Sequence, residues 1–123
     1  MEYVRVEDLL GKTLVSVEQV GVDEIVFVTA EGEKYKLCHV QDCCESVTIE
    51  DIVGDLSDLV GEPILLAEEV TSDENPKGGR THYLNDSFTW TFYKFATRKG
   101  YVDIRWYGVS NGYYSEGVDF VKC

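Results

Sequence analysis

Cys38, His39, Cys43 and Cys44 lie close together, with Asp42 and Glu45 beside them, and thiolate, imidazole and carboxylate are the groups that hold zinc or activate a nucleophile. Structural zinc wants four such ligands, commonly as two spaced pairs. Here Cys38 and His39 are neighbours in an extended stretch and point to opposite faces, and Cys43 and Cys44 meet the same difficulty. One zinc ion can take a member of each pair, which makes His39, Cys43 and Cys44 the ligand set of a metal-binding reading, with Asp42 or Glu45 adding oxygens. A thiol-dependent reading uses His39 to activate Cys43 or Cys44, but the acids around them raise a thiol pKa. Set against both is the plain alternative of small thiols packed at a strand end. His82 has no evident partner, and no Ser-His-Asp order, phosphate loop or dinucleotide fingerprint occurs.

The charge is uneven. The chain of 123 residues carries a formal net charge of -12. No Lys or Arg occurs between Lys36 and Lys77, while Asp42, Glu45, Glu50, Asp51, Asp55, Asp58, Glu62, Glu68, Glu69, Asp73 and Glu74 do. Such a field repels phosphate, so direct binding of nucleic acid or of an anionic membrane is disfavoured and a protein with a basic surface is the favoured partner. Asp51, Asp55 and Asp58 miss the spacing of an EF-hand loop. The acidic start lacks the basic and apolar parts of a signal peptide and no apolar run reaches membrane-spanning length, so the expectation is a cytoplasmic protein, the host cytoplasm if a phage encodes it, with reduced thiols.

The elements that must position these groups are mostly strands. The length suits one globular domain, 1–123, and with 44% hydrophobic residues and two prolines it is not a disordered chain. "TLVSVEQV" and "EIVFVTA" read as strands around a turn at Gly21 to Asp23, and "EGEKYKLCHV" continues with Tyr35, Leu37 and His39 on one face. The next segment supports either a helix from Thr48 to Val60 or a strand from Ser46 to Ile52 followed by a short helix from Asp55 to Val60; β-branched residues and Gly54 favour the second. "PILLAEEV" is a strand, and about 71–86 a mobile loop. "SFTWTFYKFATR", "YVDIRWYG" and "YYSEGVDFV" are strands joined at Lys99-Gly100 and at Ser110-Asn111-Gly112. In the second of these hairpins a two-residue turn would put the apolar sets Val102, Ile104, Trp106 and Val118, Phe120 on opposite faces, so the spacing predicts an odd-length loop or a bulge. The expected fold is α+β, mostly antiparallel β: a single curled sheet or open barrel of seven to eight strands with one or two short helices.

Aromatic residues crowd the last third and occupy both faces of the Ser87 to Arg98 strand. Most must be core. Tyr107, Tyr113 and Tyr114, beside a tight turn, are the candidates for an exposed anchor, since tyrosine buries area at low entropy cost and keeps a polar tip.

With "HVQDCCESVTIEDIVGDL", "PILLAEEV", "TWTFYKFAT" and "YVDIRWYGVSNGYYSEGVDF" in view, the chain resembles, from Leu10 to Phe120, a family of small uncharacterised bacteriophage and bacterial proteins. Their pattern centres on an H-x-x-D-C-C-E core and a W-Y-G-x-S-N-G-Y-Y hairpin. Cys38, Cys123 and "NPKGGRTHYLND" depart from it. The resemblance implies a phage accessory protein that binds a host protein. The leading expectation is a non-enzymatic acidic protein that engages a basic surface through Asp42, Glu45, Glu50, Asp51, Asp55, Asp58 and the tyrosines, as an anti-defence inhibitor or nucleic-acid mimic. The alternatives are the zinc or thiol module and a sponge for a small nucleotide.

Overall fold

The computed structural model describes residues 2–41, 44–72, 87–110 and 115–123. In chain order the strands are β1 (Glu2–Tyr3), β2 (Leu14–Val20), β3 (Glu24–Thr29), β4 (Lys34–Cys38), β5 (Ser46–Val53), β6 (Leu66–Ser72), β7 (Ser87–Thr97), β8 (Gly100–Ser110) and β9 (Asp119–Lys122). Period-two alternation makes them. In β3, Ile25, Phe27 and Thr29 are buried between half-exposed Glu24, Val26 and Val28, and β4 buries Tyr35 and Leu37, the pattern of strands with one face on a core.

Two antiparallel sheets result, not one curled sheet. The first has the order β1-β9-β4-β3-β2 and the second β5-β8-β7-β6. Their inner faces share one core, in which Phe27 of the first sheet meets Phe95 of the second at 5.5 Å and Phe120 of its own sheet at 6.0 Å. Among the described residues there is no α-helix, only 3-10 turns at Val6–Leu9 and Leu56–Leu59, so the α+β expectation gives way to an essentially all-β fold. The short helix expected at Asp55 to Val60 is the second of these turns, capped by the Asp55 carboxylate on Ser57 N at 2.9 Å. Gly54, before it, has φ +106, and a Cβ there would meet the Tyr101 carbonyl oxygen at 2.5 Å. Of the loop expected at about 71–86, Thr71 and Ser72 belong instead to β6; the rest lies outside the described residues.

The last hairpin is the principal correction. β7 and β8 pair through the expected turn, with Thr97 opposite Gly100. β9, however, does not return along β8; it lies between β4 and β1, with Leu37 opposite Phe120 and Tyr3 opposite Val121. The parity conflict between the apolar residues of β8 and those at Val118 and Phe120 has this cause. The two sets line the same core from opposite sheets, so no odd loop or bulge is needed to reconcile them.

Glu33 closes the open end of the first sheet. Its carboxylate lies 2.8 Å from Lys12 Nζ and 3.0 Å from Lys122 Nζ, joining the entry to β2, the β3–β4 turn and the end of β9. The two ammonium groups lower its pKa from the ordinary 4.5 to about 2. A depressed carboxylate pKa stabilises the fold above about 4.5, and that contribution is lost as pH falls towards 2. Glu33→Gln is therefore expected to flatten the fall in urea midpoint over this interval relative to wild type; parallel curves for the two proteins would contradict the clamp.

Candidate functional site

His39 extends the inward face of β4 past the strand's end, and its ring is only 4% exposed. Nδ1 lies 2.8 Å from the Gly117 carbonyl oxygen and Nε2 lies 2.8 Å from Glu45 Oε2, on a carboxylate that is fully buried. A carbonyl only accepts, so Nδ1 carries a hydrogen and donates it. One further proton then sits between Nε2 and Glu45, as an imidazolium–carboxylate pair or as a carboxylic acid donating to a neutral ring. Either way both ring nitrogens are engaged and His39 offers no lone pair to a metal. The contact ties the loop after β4 to the 115–118 crossover between the sheets.

The cysteines part company. Cys44 is disulfide-bonded rather than reduced, which corrects the expectation of free thiols throughout. Cys38 and Cys123 are free, and Cys38 is half-buried. Burial raises the Cys38 thiol pKa, with Asp119 and Glu24 adding to it, so this thiol is disfavoured as a nucleophile. Cys43 and Asp42 lie outside the described residues. Among the described residues no group of three or more His, Cys, Asp or Glu side chains could hold a metal ion.

A neighbouring polar contact escaped sequence reasoning. Glu116 is buried on the inner face of the second sheet, accepting hydrogen bonds from Thr89 Oγ1 at 2.8 Å and from Ser110 Oγ. Gly108 permits this, because a Cβ there would overlap the Glu116 carbonyl oxygen and lie 3.0 Å from the Glu116 Cβ. A glycine inside the strong strand pattern of β8 was the available signal for a close backbone approach.

The acidic run does not form one cation-free patch. Glu45 is buried with His39 and cannot face a partner. Arg105 reaches Glu50 at 2.9 Å through Nε and Asp51 at 3.7 Å, Arg98 lies 3.8 Å from Glu62, and Lys94 stands opposite Glu68 and Asp103 across the sheet. Lys99 Nζ donates to the Ser57 and Val60 carbonyls at 3.2 and 2.7 Å. The cations absent between Lys36 and Lys77 come from β7, β8 and the turn joining them, folded back beside the acids. Asp55 and Glu68 remain exposed and Asp58 half-exposed.

The outer face of the second sheet carries the most distinctive surface. Along β7 the residues alternating with the core pair Tyr93 and Phe95 are Phe88, Trp90, Phe92 and Lys94. Tyr107 of β8 sits 4.5 Å from Trp90, which also stacks at 6.4 Å on Phe92 and lies 5.5 Å below the Arg105 guanidinium. Tyr107, named from sequence as an anchor, is thus half-buried in an aromatic row; Tyr113 and Tyr114 lie outside the described residues. Beside the row is a mainly apolar groove of about 350 Å³, floored by Val53, Val70 and Phe92 and edged by Asp51, Asp103, Lys94 and Arg105. Val53 and Val70 are 60% and 56% exposed. Sequence reasoning missed the groove because its residues come from four strands whose order in the sheet no local pattern encodes.

No helix among the described residues is long and apolar enough to cross a membrane. No curated protein and no solved structure matches the chain. A family model described as a domain of unknown function (DUF7448) matches residues 7–120, so the chain belongs to that family.

Proposed function

We propose, on the premise that the chain belongs to the DUF7448 family, that it is a non-enzymatic binding protein that engages a basic surface of a partner protein through the outer face of its second sheet. The groove floored by Val53, Val70 and Phe92 carries this reading. Exposed apolar side chains in a concavity, with charged groups fixed at its edge, are what a partner's anchor residue fills. The net charge of -12 selects a cationic approach and speeds it, since complementary charge acts chiefly on the association rate. Asp55, Asp58 and Glu68 supply the outlying field, while Glu50 and Asp51, tied to Arg105, fix the groove's edge. In the phage setting that the sequence resemblance implies, the partner is a host protein whose function the contact blocks.

The test compares wild type with a Val53→Lys, Val70→Lys variant. Both positions are exposed, so the fold is expected to change by less than about 0.5 kcal/mol. A host protein captured by wild type and lost by the variant, with an association rate that falls about tenfold or more between 20 and 150 mM salt, supports the reading. Equal capture by the variant, or an association rate insensitive to salt, rejects it.

A further inference from the structure

Among the described residues, β6 is the border strand with the longest run that carries neither a bulge nor a bridge. β5, at one border of the second sheet, has a bulge between Ile49 and Asp51, and its Ile49 N–H donates to the Val22 carbonyl at 2.6 Å. β2, at the border of the first, is bridged to Val60 only at Leu14 and bulged between Leu14 and Ser16, which leaves the shorter run Ser16 to Val20 open, and β1 is two residues long. β6 borders the second sheet on its other side, is seven residues long and is exposed from Glu68 to Thr71 except where its backbone pairs with β7. Among the described residues no other strand pairs with it. An edge of this kind is a template for another strand.

We propose that β6 is the docking strand for an extended, basic segment of the partner, which adds to the second sheet as a further strand. This rests on the binding reading above and names the partner's contact chemistry. Glu68 and Glu69 are adjacent and point to opposite faces of the sheet, Glu68 on the outer face across from Lys94 and Glu69 on the inner face, where it accepts a hydrogen bond from the Tyr93 hydroxyl, so an added strand meets a carboxylate on each side. A second copy of β6 paired around these positions would set carboxylate against carboxylate, which is destabilising. The edge therefore rejects itself and accepts a strand carrying Lys or Arg. Val70, exposed next to Phe92 on the outer face, gives the added strand an apolar ledge at the groove. Main-chain hydrogen bonds then supply affinity and alternate side chains supply choice.

The probe is a synthetic ten-residue peptide of alternating lysine and valine, titrated into the ¹⁵N-labelled full chain. A second version carries N-methyl groups on the amides of one edge, and a third has glutamate in place of lysine. The expected result is binding of the first peptide with amide shifts concentrated at Glu68 to Thr71, at least tenfold weaker binding on N-methylation, and none by the glutamate version. Glu68→Lys with Glu69→Lys should reverse the preference between the lysine and glutamate peptides. Equal binding of the methylated and unmethylated peptides, or shifts spread away from β6, overturns strand addition while leaving the acidic binding reading standing. Absence of binding by all three also overturns strand addition, and the capture and salt experiment then judges the binding reading separately.

Discussion

Replacing His39 by alanine is expected to lower the unfolding free energy by about 3–5 kcal/mol, the usual cost of leaving one member of a buried charged pair without the other. The magnitude follows from the site. Glu45 is fully buried and faces His39 Nε2, while Gly117 O faces Nδ1, so alanine strands two acceptors and leaves a cavity. Glu45→Gln is the discriminating companion. A neutral ring can keep its Nδ1–H on Gly117 while Nε2 accepts from the glutamine amide, so both hydrogen bonds survive and the expected loss is about 1 kcal/mol. Urea titration measures both. Equal losses in the two variants would show that the pair contributes through its charge rather than through its hydrogen-bond geometry.

Gly108→Ala is expected to destabilise the protein by about 1–3 kcal/mol, the range for forcing atoms into a packed interior. Ordinarily an alanine in a strand is preferred over glycine by roughly 0.5–1 kcal/mol, so the predicted sign opposes the local preference. The reason is the Glu116 backbone lying against Gly108. Pushing the crossover away also strains the Glu116 contacts to Thr89 and Ser110 and the Gly117 contact to His39. Amide exchange should therefore quicken around residues 115–118 in the variant before it quickens in β7. A neutral or stabilising effect in urea titration would show that the crossover does not depend on this close approach.

Strand-forming segments were legible because their information is local. Ile25, Phe27, Tyr35 and Leu37 alternate with polar neighbours, and Asp55 with Gly54 marks the short turn after β5. Which sheet a strand joins is not local information. The apolar residues of β8 and β9 conflict in parity for a short hairpin, and that conflict was visible, but a bulge and a change of sheet explain it equally well from sequence. The sequence sets His39 beside three cysteines, but what His39 binds was not legible, because its partners include a backbone carbonyl from Gly117, far away in the chain. The acidic run misled for a related reason. Sequence shows that Lys36 and Lys77 bound it, but not that Arg98, Lys99 and Arg105 fold back beside it.

The placement of β9 has a kinetic consequence. Glu2 pairs with Lys122 and Tyr3 with Val121, so strands far apart in the chain are hydrogen-bonded neighbours, and β4 borders only β3 until Asp119–Lys122 arrives. Closing so large a loop carries an entropic cost before any contact rewards it, and folds dominated by such distant pairings assemble in milliseconds to seconds. During synthesis the β2–β3–β4 meander must wait with a bare flank until Asp119–Lys122 has left the ribosome, and in that interval the nascent chain is exposed to aggregation.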